Sequence, residues 1–393
     1  MKNAIMIGSV SSVAYLLCYI ARNILSVTTP QIMEMTTMDA VFIGLLSTAN
    51  MWAYAGGQLI NGIIGDKMKG KYLVSFGLFC AGACNIFVGT VDSRTVMMIA
   101  YCAMGFFLSM LYAPLTKLIA ENAPAKYVVN CCLGLTLASL VAVPVAGIIA
   151  LFFEWDIAFI LCGLALMVMG IVFYVSVTFF EKKGIVQYQP RVANQKAGRN
   201  LKLLLEREII RFSFISILTG VVRTSVTFWV PTYLSQRLGY SVAVAATIYT
   251  VTTCVRSVAP YIGNLFIYQR LLKKNMKVSL LFAFVGSTVG FLLMFMVKMP
   301  LLNIAFLTLA LMAESIASNL MWTVYCPSLH DTGMVSGATG YLDFLSYTSA
   351  GIANLIFANA ITTIGWDKLI LVWAALMGAG ILVSAPFKKK RFI

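Results

Sequence analysis

The chain has 393 residues, of which 60% are hydrophobic and 11% are charged, and its mean hydropathy is +0.89. This composition excludes a soluble globular domain and is typical of a polytopic membrane protein. A net charge of +15 would suggest nucleic acid as the partner of a soluble protein. Here the basic residues fall almost wholly in alternate loops, which indicates membrane orientation and argues against a nucleic-acid partner.

Twelve apolar stretches are each long enough to cross a hydrocarbon core of about 30 Å. The polar segment 181–210 separates the first six stretches from the last six. The sequence therefore predicts an all-α membrane protein with twelve transmembrane helices in two pseudo-symmetric six-helix bundles. The predicted N-terminal bundle covers 1–180, the cytoplasmic linker 181–210 and the C-terminal bundle 211–393. The predicted spans, in chain order, are 8–32, 41–64, 72–91, 95–119, 127–152, 157–180, 211–235, 242–268, 277–298, 301–327, 334–362 and 367–387.

The first span carries an arginine near its centre, and the seventh span repeats this pattern. Arg22 and Arg223 are each followed, at the same spacing, by a proline, Pro30 and Pro231. A guanidinium at mid-membrane depth costs about 3 kcal/mol on insertion scales, so it needs an anionic partner or a water-filled cavity. A buried carboxylate would explain either arginine alone, but the repetition favours a central anion-binding site.

Polar side chains recur at spacings of three and four on the first two helices, which places each set on one helix face. Such a face is either the wall of a substrate cavity or a row of hydrogen bonds between helices. In the first case Tyr19, Tyr54 and Gln58 would contact the substrate, and Asn23, beside Arg22, is a further candidate substrate-binding residue. The residues that form the two faces are Tyr15, Tyr19, Asn50, Tyr54, Gln58 and Asn61.

The distribution of basic residues predicts the topology of the chain. The first apolar stretch lacks a small-residue cleavage site, so we interpret it as a true helix and not as a signal peptide. The positive-inside rule predicts a multi-pass protein of the plasma membrane with both termini in the cytoplasm. The basic tail could instead recruit anionic lipid. The basic residues of the predicted cytoplasmic loops and tail are Lys67, Lys69, Lys71, Lys126, Arg270, Lys273, Lys274, Lys277, Lys388, Lys389, Lys390 and Arg391.

Three further charged residues lie within predicted spans of the second half. Arg256 is near the middle of the eighth span, Glu314 lies in the tenth, and Asp343 lies toward the cytoplasmic third of the eleventh. Either the two acids neutralise Arg256, or one of them is a protonatable coupling site. Lys117, near the inner end of the fourth helix, either contributes to substrate binding or extends its ammonium group to the interface.

Catalytic and metal-binding patterns are missing from the sequence. The nine cysteines show no CxxC spacing, and the single histidine, His330, falls in a loop at the end of the tenth span. There is also no Ser/His/Asp arrangement and no glycine-rich phosphate loop. The sequence therefore predicts that the protein is not an enzyme and that it has no cofactor or metal site.

The segment 62–71, which reads GIIGDKMKGK, follows the second span. It is similar to a signature of the major facilitator superfamily, in which a glycine allows close helix contact and an aspartate and basic residues form the cytoplasmic gate, here Asp66 and Lys67. Within that superfamily the chain most resembles the organophosphate:phosphate antiporters. The other residues that carry this resemblance are Tyr19, Arg22, Asn23, Pro30, Pro114, Lys117, Arg223, Trp229, Pro231, Tyr233, 336–340 and 365–367.

In that family the arginines of the first and seventh helices jointly hold the substrate phosphate, so the resemblance implies this role for Arg22 and Arg223. Two departures affect the expected substrate. Gln58 stands where the family usually has a lysine, and Asn23 replaces a basic residue beside the first-helix arginine. A site with fewer positive charges should prefer a smaller or less charged anion than a sugar phosphate dianion, or bind that dianion more weakly. Carboxylates such as sugar acids then compete.

The resemblance implies a secondary active transporter that works by alternating access around a central two-arginine site. We expect a monomer in the lipid bilayer that exchanges a small organic anion, a phosphate ester, for inorganic phosphate as the counter-substrate. The alternatives are a proton-coupled symporter of organic carboxylates and a transporter-like ligand sensor.

Overall fold

The computed structural model of the chain describes residues 2–38, 40–188 and 197–385. The basic tail residues Lys388, Lys389, Lys390 and Arg391, which bear on the predicted topology, lie outside the described residues, as do residues 189–196 of the predicted linker. All regular secondary structure in the described ranges is helical.

The first half of the chain forms eight helices. The last of them lies within the predicted linker and ends just before Glu208, which has a left-handed backbone conformation (φ 63°). The bounds are α1 Lys2–Met35, α2 Ala40–Lys67, α3 Gly70–Thr90, α4 Arg94–Leu108, α5 Tyr112–Asn122, α6 Ala125–Phe152, α7 Trp155–Lys182 and α8 Ala197–Glu206.

The second half combines α-helices with π-helical segments. In chain order they are α9 Ile209–Gly220, a π-helical turn Val221–Val226, α10 Thr227–Gln236, α11 Val242–Tyr261, a π-helical segment Ile262–Leu271, α12 Met276–Met296, α13 Pro300–Leu320, a π-helical turn Met321–Tyr325, α14 Cys326–Ser328, a 3-10 turn Leu329–Thr332, α15 Val335–Thr363 and α16 Gly365–Ser384.

Ten segments of the described chain are long and apolar enough to cross a membrane. The two remaining predicted spans correspond to α2 and to α11 with its π-helical continuation. Both contain buried polar side chains, such as Asn61 and Asn264.

Four predicted spans are interrupted in the structure and are not single unbroken helices. The span 95–119 divides at residues 109–111 between α4 and α5, the spans 211–235 and 301–327 each contain a π-helical turn, and the span 242–268 continues from α11 into the π-helical segment Ile262–Leu271. A proline lies close to each irregular segment, namely Pro114, Pro231, Pro327 and Pro260. Because proline lacks an N–H and its ring crowds the carbonyl four residues earlier, it disrupts the regular helical hydrogen bonds. The hydrophobic pattern that predicted these spans does not register such breaks.

Large apolar side chains are exposed on the outer faces of the helices, whereas polar ones are buried. Leu151, Phe152 and Met296 are 82%, 77% and 72% exposed, while Asn61 and Glu314 are completely buried. This distribution is the one expected of helices surrounded by lipid, where polar groups must find partners inside the protein.

The chain forms two compact units. The first unit contains Met1–Arg207 and Cys326–Phe344, and the second contains Glu208–Tyr325 and Leu345–Ile393. The chain passes from one unit to the other at three places, after Arg207, after Tyr325 and, within α15, after Phe344. These units do not test where the predicted six-helix bundles begin and end, so the boundaries at 180 and 211 stay a prediction.

Candidate functional site

Arg22 of α1 contacts two tyrosine rings within the first unit. Its guanidinium carbon lies 4.2 Å from the ring centroid of Tyr54 on α2 and 5.6 Å from that of Tyr19, one turn earlier on α1. Attraction between a guanidinium and an aromatic face contributes about 2 kcal/mol where both are desolvated. Arg22 therefore lies against two aromatic rings of the first unit.

Further tyrosines extend this aromatic surface. The hydroxyl of Tyr15 donates a hydrogen bond to that of Tyr19 at 3.3 Å, and their ring centroids are 4.8 Å apart. The ring of Tyr112, on α5, lies 5.4 Å from that of Tyr15. The predicted tyrosine face of α1 is therefore packed beside Arg22, and Tyr112 adds a residue that the spacing pattern did not indicate.

The polar residues near Arg22 differ in how their amides are used. Asn23 donates from Nδ2 to the carbonyl of Tyr19 at 2.7 Å, a bond within its own helix. Asn50 and Asn61, on α2, donate to the carbonyl of Tyr101 and to the hydroxyl of Ser109, both at 2.7 Å. These contacts are the helix-to-backbone and helix-to-helix hydrogen bonds that the sequence left open as one interpretation of the polar face.

Gln58 lies one turn beyond Tyr54 on α2 and is completely buried. Neither its amide nitrogen nor its amide oxygen has a hydrogen-bond partner among the described residues. Burial without a partner costs an amide about 1–3 kcal/mol, so Gln58 differs in kind from Asn50 and Asn61.

Arg223 lies in the π-helical turn Val221–Val226 of the second unit. Its Nη2 donates to the hydroxyl of Ser346 on α15 at 3.2 Å, and its guanidinium carbon lies 5.5 Å from the ring centroid of Tyr347 and 5.9 Å from that of Trp322. The predicted arginine is thus held by a hydroxyl and two aromatic rings. Ser346 and Tyr347 follow Asp343 by three and four residues on the same helix, so helical spacing from that acid could have identified them.

Arg256 and Glu314 form a buried ion pair in the second unit. Arg256 Nη2 lies 2.8 Å from Glu314 Oε2, and Nη1 donates to the hydroxyl of Thr227 at 2.9 Å. The glutamate side chain is completely buried and the arginine side chain is 12% exposed. Thr227 was not predicted, and regular helical spacing from Arg223 does not identify it because the π-helical turn Val221–Val226 intervenes.

The other predicted acid, Asp343, belongs to the part of α15 in the first unit. It is 5% exposed and lies within electrostatic range of Tyr112 and Cys326. The structure therefore gives Arg256 a carboxylate partner in Glu314 and places Asp343 in a different environment.

Asp66 belongs to α2, and its side chain caps the N-terminal end of α15 within the first unit. Its carboxylate accepts hydrogen bonds from the backbone N–H groups of Ser336 at 2.9 Å and Gly337 at 2.7 Å. A Cβ added at Gly337 would lie 2.5 Å from Asp66 Oδ2, so only glycine permits this approach. A carboxylate at this position satisfies two otherwise unpaired N–H groups and is attracted by the helix dipole.

The two lysines predicted near the gate have different surroundings. Lys67 is exposed. Lys117 donates from Nζ to the carbonyls of Gly65 and Asp66 at 3.0 and 3.1 Å, and so binds the C-terminal end of α2. This end of α2 is about 16 Å along the helix from Tyr54, at 1.5 Å per residue. The structure therefore does not bring Lys117 together with Arg22.

Among the described residues, no group of three or more His, Cys, Asp or Glu side chains could hold a metal ion. His330, in the 3-10 turn Leu329–Thr332, is exposed. The arrangement of half-buried arginines, tyrosines and hydroxyls can bind an anion.

Comparison with known proteins gives a consistent assignment. Residues 11–354 match the family model described as the Major Facilitator Superfamily. The membrane sensor protein UhpC of Escherichia coli (strain K12) is 22% identical over 95% of this chain and 89% of its own. The hexuronate transporter of Bacillus subtilis (strain 168) is 21% identical over 95% of this chain and 91% of its own.

Two further matches extend the comparison. The glycerol-3-phosphate transporter of Bacillus subtilis (strain 168) is 24% identical over 51% of this chain and 50% of its own. The crystal structure of the transporter FucP superimposes with a TM-score of 0.73 at 13% identity, covering 97% of this chain and 98% of that one. At this identity the structural likeness shows the fold alone, which is the predicted fold of twelve transmembrane helices.

Proposed function

The chain belongs to the Major Facilitator Superfamily, and from this premise we propose that it carries a small organic anion, a phosphate ester, in exchange for inorganic phosphate. It is an integral membrane transporter and not an enzyme. Its relatives confirm the predicted resemblance to the organophosphate:phosphate antiporters, at low identity.

The observation that carries the proposal is the environment of the two repeated arginines. Arg22 is stacked on the ring of Tyr54, and Arg223 is held by Ser346 and two aromatic rings. Arg256 forms an ion pair with Glu314 at 2.8 Å. Planar guanidinium groups bind phosphate and carboxylate oxygens in pairs, and their charge does not titrate near neutral pH. We therefore assign anion binding to Arg22 and Arg223, and a structural ion pair to Arg256.

The proposed mechanism is alternating access, in which the bound anion lowers the barrier for reorientation of the two six-helix bundles. An empty site would then reorient poorly, which gives obligatory exchange. The gate residues Asp66 and Lys67 would lie on the cytoplasmic side, with both termini in the cytoplasm and the protein working as a monomer in the plasma membrane.

Counterflow in proteoliposomes tests the proposal. Purified protein is reconstituted with unlabelled phosphate inside, and uptake of labelled phosphate is measured with and without the internal anion. We expect uptake to require internal anion and to be lost in Arg22→Lys and in Arg223→Lys, because an ammonium keeps the charge but not the bidentate geometry. Arg237→Lys is the matched control, since Arg237 is an exposed arginine paired with Asp367. Normal exchange in both site variants would refute the two-arginine site.

A proton-coupled symporter of organic carboxylates is the second candidate, favoured by the similarity to a hexuronate transporter over 95% of the chain. The same vesicles distinguish the candidates. A symporter accumulates a sugar acid along a pH gradient without internal anion, whereas an exchanger does not. A ligand sensor, as the name of UhpC suggests for that relative, binds the anion but shows no counterflow.

A further inference from the structure

Gln58 is a buried amide with no hydrogen-bond partner among the described residues, and it lies in the first unit near the proposed anion-binding arginine. It is 0% exposed, and both Nε2 and Oε1 lack a partner. Buried amides are nearly always hydrogen-bonded, so an amide in which both polar atoms lack a partner requires an explanation.

Other amides of the same helix show that α2 can satisfy such groups. Asn50 is 5% exposed and donates to the carbonyl of Tyr101, and Asn61 is 0% exposed and donates to the hydroxyl of Ser109. Both are therefore explained by packing between helices. Gln58 lies between them in sequence, in the same helix, yet it makes neither type of bond.

The position of Gln58 relates it to the arginine. It follows Tyr54 by four residues, so the two side chains lie on the same face of α2, one turn apart. The ring of Tyr54 is the one on which Arg22 stacks at 4.2 Å. α15 approaches the main chain of Gln58 so closely that a Cβ added at Gly340 would clash with the Gln58 carbonyl oxygen. This contact helps to bury Gln58, but it involves the main chain and not the amide group.

The chemistry of the amide indicates which ligand group would satisfy it. A primary amide offers two donors and an acceptor, and a hydroxyl group is both a donor and an acceptor. The oxygens of inorganic phosphate and of carboxylates act mainly as acceptors, so they would leave Oε1 without a donor. A hydroxyl close to the anionic group satisfies both ends of the amide.

We propose that Gln58 hydrogen-bonds a hydroxyl group of the substrate whose anionic group is held by Arg22, so that the protein selects hydroxylated organic anions, such as sugar acids or polyol phosphates, over their deoxy counterparts. This inference rests on the proposed function. Because Gln58 is completely buried, the hydroxyl reaches it when α15 moves away from α2 during the transport cycle. The tyrosine rings beside Arg22 provide flat apolar surfaces suited to the C–H face of such a molecule.

The test compares matched ligands on the purified full-length protein. The probes are glycerol 3-phosphate against propyl phosphate, and gluconate against hexanoate, with dissociation constants taken from ligand-dependent thermal stabilisation. For the wild type we expect the hydroxylated member of a pair to bind at least about tenfold more tightly, the effect of one hydrogen bond to a buried amide. In Gln58→Met, which keeps the length of the side chain and removes the amide, the ratio should fall to about one while the deoxy ligand binds as before.

Two further variants give controls. Asn50→Leu removes an amide that is already bonded within the protein, so it should lower the melting temperature and leave the ligand ratio unchanged. Gln58→Asn keeps the amide but withdraws it by one methylene, so it should reduce the ratio. Because it keeps an amide at this position, it provides a second test if Gln58→Met folds poorly.

The outcomes separate this inference from the proposed function. An unchanged ratio in both Gln58→Met and Gln58→Asn would overturn the role of Gln58, while binding that is lost in Arg22→Lys would still support the anion site. If none of the four anions stabilised the wild type, the proposed function and the inference would both be overturned.

Discussion

Removal of the Glu314 carboxylate is expected to destabilise the protein by about 3 kcal/mol, at the lower end of the 3–5 kcal/mol that loss of one partner costs a buried ion pair. The change is Glu314→Gln. The side chains of Glu314 and Arg256 are 0% and 12% exposed and approach to 2.8 Å, so the variant leaves a guanidinium charge with little access to water. The cost falls at the lower end because glutamine still offers an oxygen acceptor and because Thr227 continues to accept from Arg256.

The assay is a double-mutant cycle followed by denaturant unfolding in detergent. It compares the wild type, Glu314→Gln, Arg256→Gln and the double variant, so that the coupling between the two side chains is obtained directly. The double variant should recover much of the lost stability, because two neutral amides replace an unpaired buried charge. Asp367→Asn provides the matched control: it breaks the ion pair with Arg237, in which the side chains are 58% and 43% exposed, and such surface pairs contribute about 1 kcal/mol or less.

Two results would refute the reasoning. One is a loss in Glu314→Gln no larger than that in Asp367→Asn. The other is a double variant whose destabilisation equals the sum of the two single variants, since additivity means that the residues do not interact.

The remaining predictions concern the gate, helix packing and pH. Asp66→Asn should lower stability by about 1 kcal/mol, because it weakens the cap of α15, and thermal unfolding in detergent measures this; no loss would contradict the capping role. Gly340→Ala should impair folding, because its Cβ would lie 2.1 Å from a backbone oxygen, whereas Gly56→Ala, with nothing within 4 Å, should be neutral, as judged by yield of monodisperse protein. Burial raises the pKa of the Glu208 carboxyl, but the hydrogen bonds and positive charges of Lys277 and a neighbouring arginine lower it by a larger amount. The pKa therefore lies below its ordinary value. Its stabilisation is therefore present above about pH 4.5 and lost as the pH falls below that value, so the unfolding midpoints of wild type and Glu208→Gln should converge in acid; a constant difference would argue against the ion pair.

Much of the fold could be predicted from the sequence, because hydrophobic stretches of membrane length are a strong signal. The breaks in α4–α5, around Arg223 and after α13 could not, since apolar content is the same in a regular and an irregular helix. The prolines give only a local hint, and the π-helical form of a break depends on how neighbouring helices satisfy the freed carbonyls.

The candidate site was only partly accessible to sequence reasoning. The stacking of Arg22 on Tyr54 agrees with a polar face on α2, because helical spacing reports which residues share a face. The partner of Lys117 could not be predicted, since it consists of backbone carbonyls on another helix. Spacing along one helix also could not decide whether Glu314 or Asp343 lies beside Arg256, because that depends on how separate helices pack.

The π-helical turn at Arg223 has a consequence for how the two halves of the chain correspond. A π turn holds one residue more than an α turn, and each α-helical residue rotates the chain by about 100°. Arg22 lies in an uninterrupted α-helix, whereas Arg223 does not. The residues that follow the two arginines at equal sequence distance therefore differ in angular phase by about 100°. An alignment of the two repeats consequently needs a one-residue gap just after the arginine, and deleting one residue from the turn would convert it into an ordinary helix while α10 keeps its facing.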